Sequence, residues 1–488
     1  MNFLVSKRRF PFCKLTHSAV SYLCFFILLV LAVAIRLLDL HDRWLWYDEL
    51  QSVTHSSLSS IQELMRSVRH FDPHPPLYYM QLHLWMLPEK SIWWIKLNSV
   101  LWSTLTLVMV FLASRRLYND RIAMTACLFF ALSPYAILYA QEARMYSMLM
   151  FLGISSFYCL HGFIQKPGIG YLLGTMLSAL GFLYSHGAGF MILGSLGVYA
   201  AWRFSQCGIQ AWKKFFWIGL SFAVIFVLYI PWLRQAVAIS VGHTLRPDVT
   251  EVIHTLFILF FGRADLPGWI EGSAVILITT GILITFVRNR RARVMIGSFI
   301  ITPIALCLLI SYLYRPIWLH RTLAYTAPFW SIALAVLICH VLPVWLKNQA
   351  YRKRLQAGLA SLFTLALLVC TIIQQSSFRY HWHFPETARF LQSEVRVGDV
   401  VHIPHERIFW GLAWYMAGPG SVDPFKAHQG LTTSSGIHLV THKAPPSAME
   451  GKRHWLVYRS SDKVKDYVIL SDDPPRNFGQ LRVTRISP

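Results

Sequence analysis

The sequence predicts a polytopic α-helical membrane protein, a transmembrane bundle of about eleven helices followed by a small soluble α/β domain. Three observations carry this expectation. Hydrophobic residues make up 55% of the 488 and charged residues only 14%, where a soluble protein would carry roughly a quarter charged. Apolar runs of about 18 or more residues recur along the chain, each long enough to cross a hydrocarbon layer of about 30 Å. Basic residues collect in the short segments between those runs, as they do on the cytoplasmic side of membrane proteins.

The first run, 18–38, follows Lys7, Arg8, Arg9 and Lys14. Ala32-Val33-Ala34 resembles a signal-peptidase site, but the run exceeds the roughly 7–15 apolar residues of a signal core. It is therefore read as an uncleaved first span. Further spans are expected at 95–113, 122–140, 146–164, 171–186, 187–203, 215–233, 269–287, 294–314, 322–343 and 356–374. The run HTLFILFFG, 254–262, is too short to cross and reads as re-entrant or interfacial.

Charge tests this threading. A cytoplasmic N-terminus puts Arg115, Arg116, Arg121, Lys166, Arg203, Lys213, Lys214, Arg288, Arg290, Arg291, Arg293, Lys347, Arg352, Lys353 and Arg354 all inside. The opposite, outer face then holds the first loop (39–94), the link at 141–144, the 234–268 loop and the turn at 315–321. The tail falls there too. Its alternation of β-rich runs (DVVHIP, HWLVYRS) with a helix-like one (ETARFLQSEV) predicts the α/β domain. The expected division is a membrane domain over 1–374 and an extracytoplasmic domain over 375–488.

The formal charge of +22 does not point to nucleic acid, because so much of it lies in these loops. The eight cysteines lie almost all within or beside apolar runs and form no CxxC pair, so neither a disulfide framework nor a thiolate metal site is expected.

Four stretches on the outer face draw attention. RWLWYDELQS (43–52) places Asp48 and Glu49 just beyond the first span, behind Trp44, Trp46 and Tyr47 that suit the interface. A carboxylate there can act as general base toward a hydroxyl; a solvated loop pair is the plainer explanation. FDPHPPLYYMQLHLW (71–85) holds His74 in a proline-stiffened segment ahead of Tyr78 and Tyr79, and is equally a rigid entry to a helix. YAQEARMYS (139–147) sets Gln141, Glu142 and Arg144, followed by Tyr146, between two spans with almost no loop. Ionisable groups at such depth mark function or pairing, so an Arg144 ion pair with Glu142 or Asp48 competes with a phosphate-binding role. WLHRTLAYTAPFW (318–330) brings His320 and Arg321 to the same face, where snorkelling also accounts for Arg321.

In this order, WYDE, HPPLYY, QEARMY and HRTLAYTAPFW resemble the hallmarks of GT-C glycosyltransferases that use polyprenyl-phosphate sugars. The resemblance is to the family 39 group of protein O-mannosyltransferases, aminoarabinose transferases and RgtA/B/C/D-like enzymes, and covers roughly residues 18–343. It implies an inverting transfer from a polyprenyl-phosphate sugar donor to a hydroxyl of a lipid, glycan or protein acceptor. It further implies Asp48 as base, Glu49 positioning it or the donor sugar, and Arg144, Arg321 and His74 at the departing phosphate. Tyr78, Gln141, Glu142, Tyr146 and His320 belong to the same donor site by this analogy. No cofactor is expected as a requirement, although Asp48, Glu49 and Glu142 with His74 offer oxygen-rich ligands for a divalent cation. A bacterial inner membrane is the expected location. A transporter or flippase would also explain many spans and embedded charge, but it predicts charges near mid-span in two similar halves. A catalytically silent scaffold with a binding domain is the third reading.

Overall fold

A computed structural model describes residues 17–238, 246–377, 383–421, 430–441, 453–461 and 475–486. Among them, helices stand at all eleven expected spans. They are α1 (His17–Leu37); then, after three short helices α2 (Tyr47–Ser56), α3 (Ile61–Phe71) and α4 (Leu77–Trp85), α5 (Ile92–Leu117). Next come α6 (Asp120–Ala131) with α7 (Pro134–Ala140), α8 (Tyr146–Gln165), α9 (Ile169–Leu183), α10 (Phe190–Cys207) and α11 (Trp212–Ala238). The short apolar α12 (Val249–Phe261) precedes α13 (Gly268–Arg288). A π turn at Gly297–Ile301 joins α14 (Arg290–Ile296) to α15 (Thr302–Leu313), a 3-10 stretch His320–Thr326 leads into α16 (Ala327–Val336), and α17 (Gln349–Ser377) closes the bundle.

Eight of the described helices are long and apolar enough to cross a membrane, and the bent pair α6–α7 makes a ninth; of the eleven expected spans, α9 and α10 fall outside this group. Two expectations need adjustment. The third span is not one straight helix: Pro134 cannot donate to the preceding turn, Ser133 caps the new helix by accepting from Ala136 N, and the axis turns by 60°. The fifth ends early. Helix α9 has only 15 residues, about 22 Å of rise, and the turn Tyr184–Gly189 that follows it is drawn towards the face of the Asp48 loop.

Arg36 fixes that bend. Its guanidinium is 1% exposed and donates to the carbonyls of Ala131 (3.0 Å) and Phe130 (3.3 Å) at the end of α6 and to Ser103 Oγ (2.8 Å). A cation suits the negative end of a helix dipole, and Phe25 stacking on Phe111 at 4.3 Å adds a second α1–α5 contact. Arg36→Met should cost ~1–3 kcal/mol by orphaning buried acceptors, read as a lower melting temperature of the purified protein with unchanged oligomeric state.

Among the described residues the C-terminal elements form a six-stranded sheet of order β2-β3-β1-β4-β6-β5, with β1 (Val400–His402), β2 (Leu431–Thr432), β3 (His438–Val440), β4 (His454–Arg459), β5 (Arg476–Phe478) and β6 (Leu481–Ile486). β1 runs parallel to β3 and β4, and the remaining pairs are antiparallel. Two helices, α18 (Phe384–Glu394) and α19 (Glu406–Ala417), accompany the sheet and cross closely, because a Cβ at Gly411 would collide with the Phe384 ring. Helix α19 docks on the first loop: Tyr415 Oη accepts from Leu45 N at 2.8 Å, and Trp410 packs edge-on to His55. The sheet thus buttresses the segment that carries Asp48.

Candidate active site

The acidic pair divides its labour. Both acids lie in the first turn of α2, where the helix dipole favours them, and successive helical side chains point in different directions. Glu49 turns inward and is fully buried. Its Oε1 lies 3.1 Å from Lys96 Nζ and accepts from Ala143 N at 2.6 Å, and Oε2 accepts from Trp46 N at 3.1 Å, closing the helix start. Lys96 Nζ also donates to the carbonyls of Gln141 (3.2 Å) and Trp44 (3.3 Å). One buried ion pair therefore ties the 44–49 segment to the 141–144 turn.

Asp48 faces the other way and keeps 16% of its side chain exposed. Its Oδ2 accepts from Arg321 Nη1 at 2.5 Å, while Oδ1 makes no hydrogen bond among the described residues. Arg144, 3% exposed, donates from Nη1 to the Asp48 carbonyl (3.0 Å) and to Ser52 Oγ (2.8 Å), and its Nε is buried without a hydrogen-bond partner. The Asp48 carboxylate, two guanidiniums and the Tyr146 ring thus meet where α2, the 141–146 turn and the 320–326 stretch converge. The Tyr146 ring lies between those of Tyr139 (4.6 Å) and His186 (6.1 Å), tilted by about 60° to each.

His74 and His186 close the far side, their rings 4.6 Å apart. Gly187 N donates to His74 Nδ1 at 3.1 Å, which leaves the ring proton on Nε2. Gly187 sits so close that a Cβ would lie 3.0 Å from the Pro73 carbonyl. Burial, then His186 and Arg144, hold His74 well below the usual imidazole range, and burial with Arg144 and Arg321 pushes His186 down to about 3. Both rings are neutral, so His74 offers a hydrogen bond rather than a charge. Beneath them Asp72 accepts from His74 N (2.8 Å) and Tyr79 Oη (2.9 Å), and burial raises its carboxyl to about 6.

Other expected residues stand behind this surface. His320 is fixed by Tyr139 Oη at Nδ1 (2.9 Å) and by Tyr135 Oη at its carbonyl (2.8 Å). Gln141 is fully buried and donates to the carbonyls of Arg36 (3.2 Å) and Leu38 (2.8 Å), so it secures the end of α1. Tyr78 is also fully buried. Among the described residues no three His, Cys, Asp or Glu side chains group so as to hold a metal ion; Asp48, Glu49, Glu142 and His74 do not converge.

Glu142 is 3% exposed with Oε2 unpartnered, and burial pushes its carboxyl up to about 7 against the pull of Arg263, Lys96 and Arg321. Gly262, at φ +67°, permits the approach of Arg263 N to Gln374 Oε1 (2.7 Å) that sets Arg263 in place. A raised carboxyl is neutral below its pKa and an anion above it. Any phosphate held by Arg321 should therefore bind more weakly as pH rises through about 7. Glu142→Gln should flatten that slope, measured as the affinity of the purified protein for an added phosphodiester between pH 6 and 8.

Sequence reasoning missed Lys96, His55, Asp72, His186 and Arg263. Lys96 carried a usable signal, a lysine one turn inside an apolar helix (IWWIKLNS). His186 and Arg263 are distant in sequence and reach the site only through the turns after α9 and α12.

Residues 73–234 match the family model described as dolichyl-phosphate-mannose-protein mannosyltransferase. No curated protein sequence matches the chain. In fold it is similar to ArnT from Cupriavidus metallidurans in the apo state, at TM-score 0.62 and 13% identity over 96% of this chain and 98% of the other. The same protein bound to undecaprenyl phosphate gives 0.61 at 13% identity over the same shares. The Archaeoglobus fulgidus oligosaccharyltransferase, in complex with Zn and sulfate, gives 0.56 at 12% identity over 89% of this chain and 68% of that one.

Proposed function

We propose that this chain, a membrane protein with the GT-C glycosyltransferase fold and a mannosyltransferase-type segment at 73–234, moves a sugar from a polyprenyl phosphate to an acceptor hydroxyl with inversion. The observation that carries the reading is the juxtaposition of one partly exposed carboxylate, Asp48, with two guanidiniums, Arg144 and Arg321. A base and fixed cations are what this transfer needs, because the nucleophile loses a proton while the leaving group gains charge. ArnT has been crystallised with undecaprenyl phosphate, which supports a lipid-phosphate donor here.

In this mechanism the acceptor oxygen attacks the anomeric carbon from the face opposite the phosphate. Asp48 takes the hydroxyl proton as the new C–O bond forms. The bond from the anomeric carbon to the phosphate oxygen breaks, and its electron pair leaves with the polyprenyl phosphate. Arg321 and the free Nε of Arg144 meet that charge, with neutral His74 donating from Nε2. The Asp48–Arg321 pair is the resting arrangement: a phosphate competes for Arg321 and leaves Asp48 free to act as base. Glu49 and Lys96 position Asp48 without touching substrate, and Tyr146 forms a wall of the donor site.

The reading includes an orientation. Residues 1–374 form the membrane catalytic domain, and 375–488 an extracytoplasmic domain that supports the 39–94 loop. The basic loops face the cytoplasm, as in a bacterial inner membrane, and the acceptor is an envelope lipid, glycan or protein. Arg144→Lys tests the phosphate assignment. Lysine keeps the charge but lacks the planar fork, so kcat of the purified enzyme with a polyprenyl-phosphate sugar should fall about 10–100-fold, the share of a charge-assisted hydrogen bond or two. Full activity in this variant would remove Arg144 from the donor site.

A further inference from the structure

At the end of the bundle away from Asp48, the helix ends frame a half-open polar cavity of about 460 Å³. Arg116 of α5, Arg203 of α10, and Arg290 and Arg291 at the start of α14 line it, together with His161 and Tyr199. Helix α8 gives the separation. It begins at Tyr146 of the active site, and His161 lies on it about 22 Å further along.

Three features distinguish this cavity from a fringe of loop cations. No Asp or Glu lines it, and the nearby Asp120 is engaged by Arg115 at 2.7 Å. Among the described residues none of the four lining arginines has a carboxylate partner. Second, three of the four guanidiniums are held by neutral groups that orient them without cancelling their charge, and Arg290 reaches the cavity from an exposed position. Arg116 Nη1 donates to Tyr171 Oη (3.0 Å), Arg203 Nη1 to Gln206 Oε1 (2.7 Å) and Arg291 Nη1 to the Leu117 carbonyl (3.0 Å). Third, two buried polar atoms of the lining side chains lack partners. His161 is 6% exposed, its Nδ1 lies 2.6 Å from Tyr199 Oη, and its Nε2 has no hydrogen bond; neither has Arg203 Nε. Buried polar atoms are rarely left so. A Tyr199 hydroxyl that donates to Nδ1 leaves the His161 proton on Nε2, as a further donor.

We propose that this cavity is a second anion site, which takes a phosphate group at the membrane face opposite the active site. Preoriented, uncompensated arginines with an added neutral donor match the acceptor-only oxygens of phosphate. The phosphate is that of an anionic phospholipid headgroup or of a small soluble molecule. Either would bridge the ends of α5, α8, α10 and α14, whose cations otherwise repel one another. The inference uses no residue of the proposed transfer chemistry and stands apart from it.

The full-length protein, purified in neutral detergent, is examined by native mass spectrometry with added phosphatidylglycerol or phosphatidylcholine. Its melting temperature is followed separately in inorganic phosphate. Wild type should retain phosphatidylglycerol in preference to phosphatidylcholine, and Arg203→Gln/Arg290→Gln should retain it at least about tenfold more weakly, having lost two charge-assisted contacts. A saturable rise in melting temperature with inorganic phosphate, absent from the double variant and without lipid preference, identifies a soluble phosphate as the occupant. Equal behaviour of wild type and variant in both arms overturns the proposal. Should the double variant fail to fold, Arg290→Gln alone, at an exposed position, is read the same way, and an unchanged result there overturns the proposal as well.

Discussion

Asp48→Asn is expected to lower turnover by about 10²–10⁴-fold, the share of rate that a positioned general base supplies. The amide nearly matches the carboxylate in shape and can still accept from Arg321, but it cannot take the acceptor's proton. The pair is only partly exposed, with 16% of the Asp48 side chain and 30% of that of Arg321 open to solvent. Because the amide still accepts from Arg321, the loss of stability should fall below the ~3–5 kcal/mol of a buried pair broken at one partner. Rates of sugar transfer by the purified variant check this, beside its melting temperature and elution volume. Normal turnover would rule out Asp48 as the base; loss of both turnover and folding would make its role structural.

The neighbouring acid should behave oppositely. Lys96→Met leaves Glu49 as a buried, uncompensated carboxylate, a change that costs about 3–5 kcal/mol when one partner of a buried pair is removed. Glu49 and Lys96 are both fully buried and hold the Trp44, Gln141 and Ala143 backbone together. Combining Lys96→Met with Glu49→Gln should recover much of that loss, because the amide oxygen still accepts from Ala143 N without carrying charge. Denaturation midpoints of the two single variants and the double variant measure this coupling. Additive effects would mean that the pair does not act as one tie.

These contrasting roles show how far the sequence could be read. Spans were legible because apolar length and loop charge are local properties, and the Asp48–Arg144–Arg321 grouping followed from placing three loops on one face. What lay beyond reach was direction. Asp48 and Glu49 are adjacent in WYDE, and nothing in the dipeptide tells which side chain turns inward; Lys96, 47 positions later, decides it. Gln141 and Tyr78 sit inside matching motifs, yet Gln141 secures the α1 backbone and Tyr78 packs in the core. The bend at Pro134 is visible as a residue type, but neither its 60° angle nor the donation of Arg36, from another helix, to the Phe130 and Ala131 carbonyls can be read locally.

The central claim, transfer of a sugar from a polyprenyl phosphate at the Asp48 site, meets its most direct test in comparative mass spectrometry of envelope lipids and glycans. Cells that carry the wild-type protein, Asp48→Asn, or neither are compared. A species heavier by one sugar, present only with the wild type, is the predicted result, and its mass and fragments would identify both sugar and acceptor. An envelope that gains the same species with Asp48→Asn as with the wild type would contradict the account.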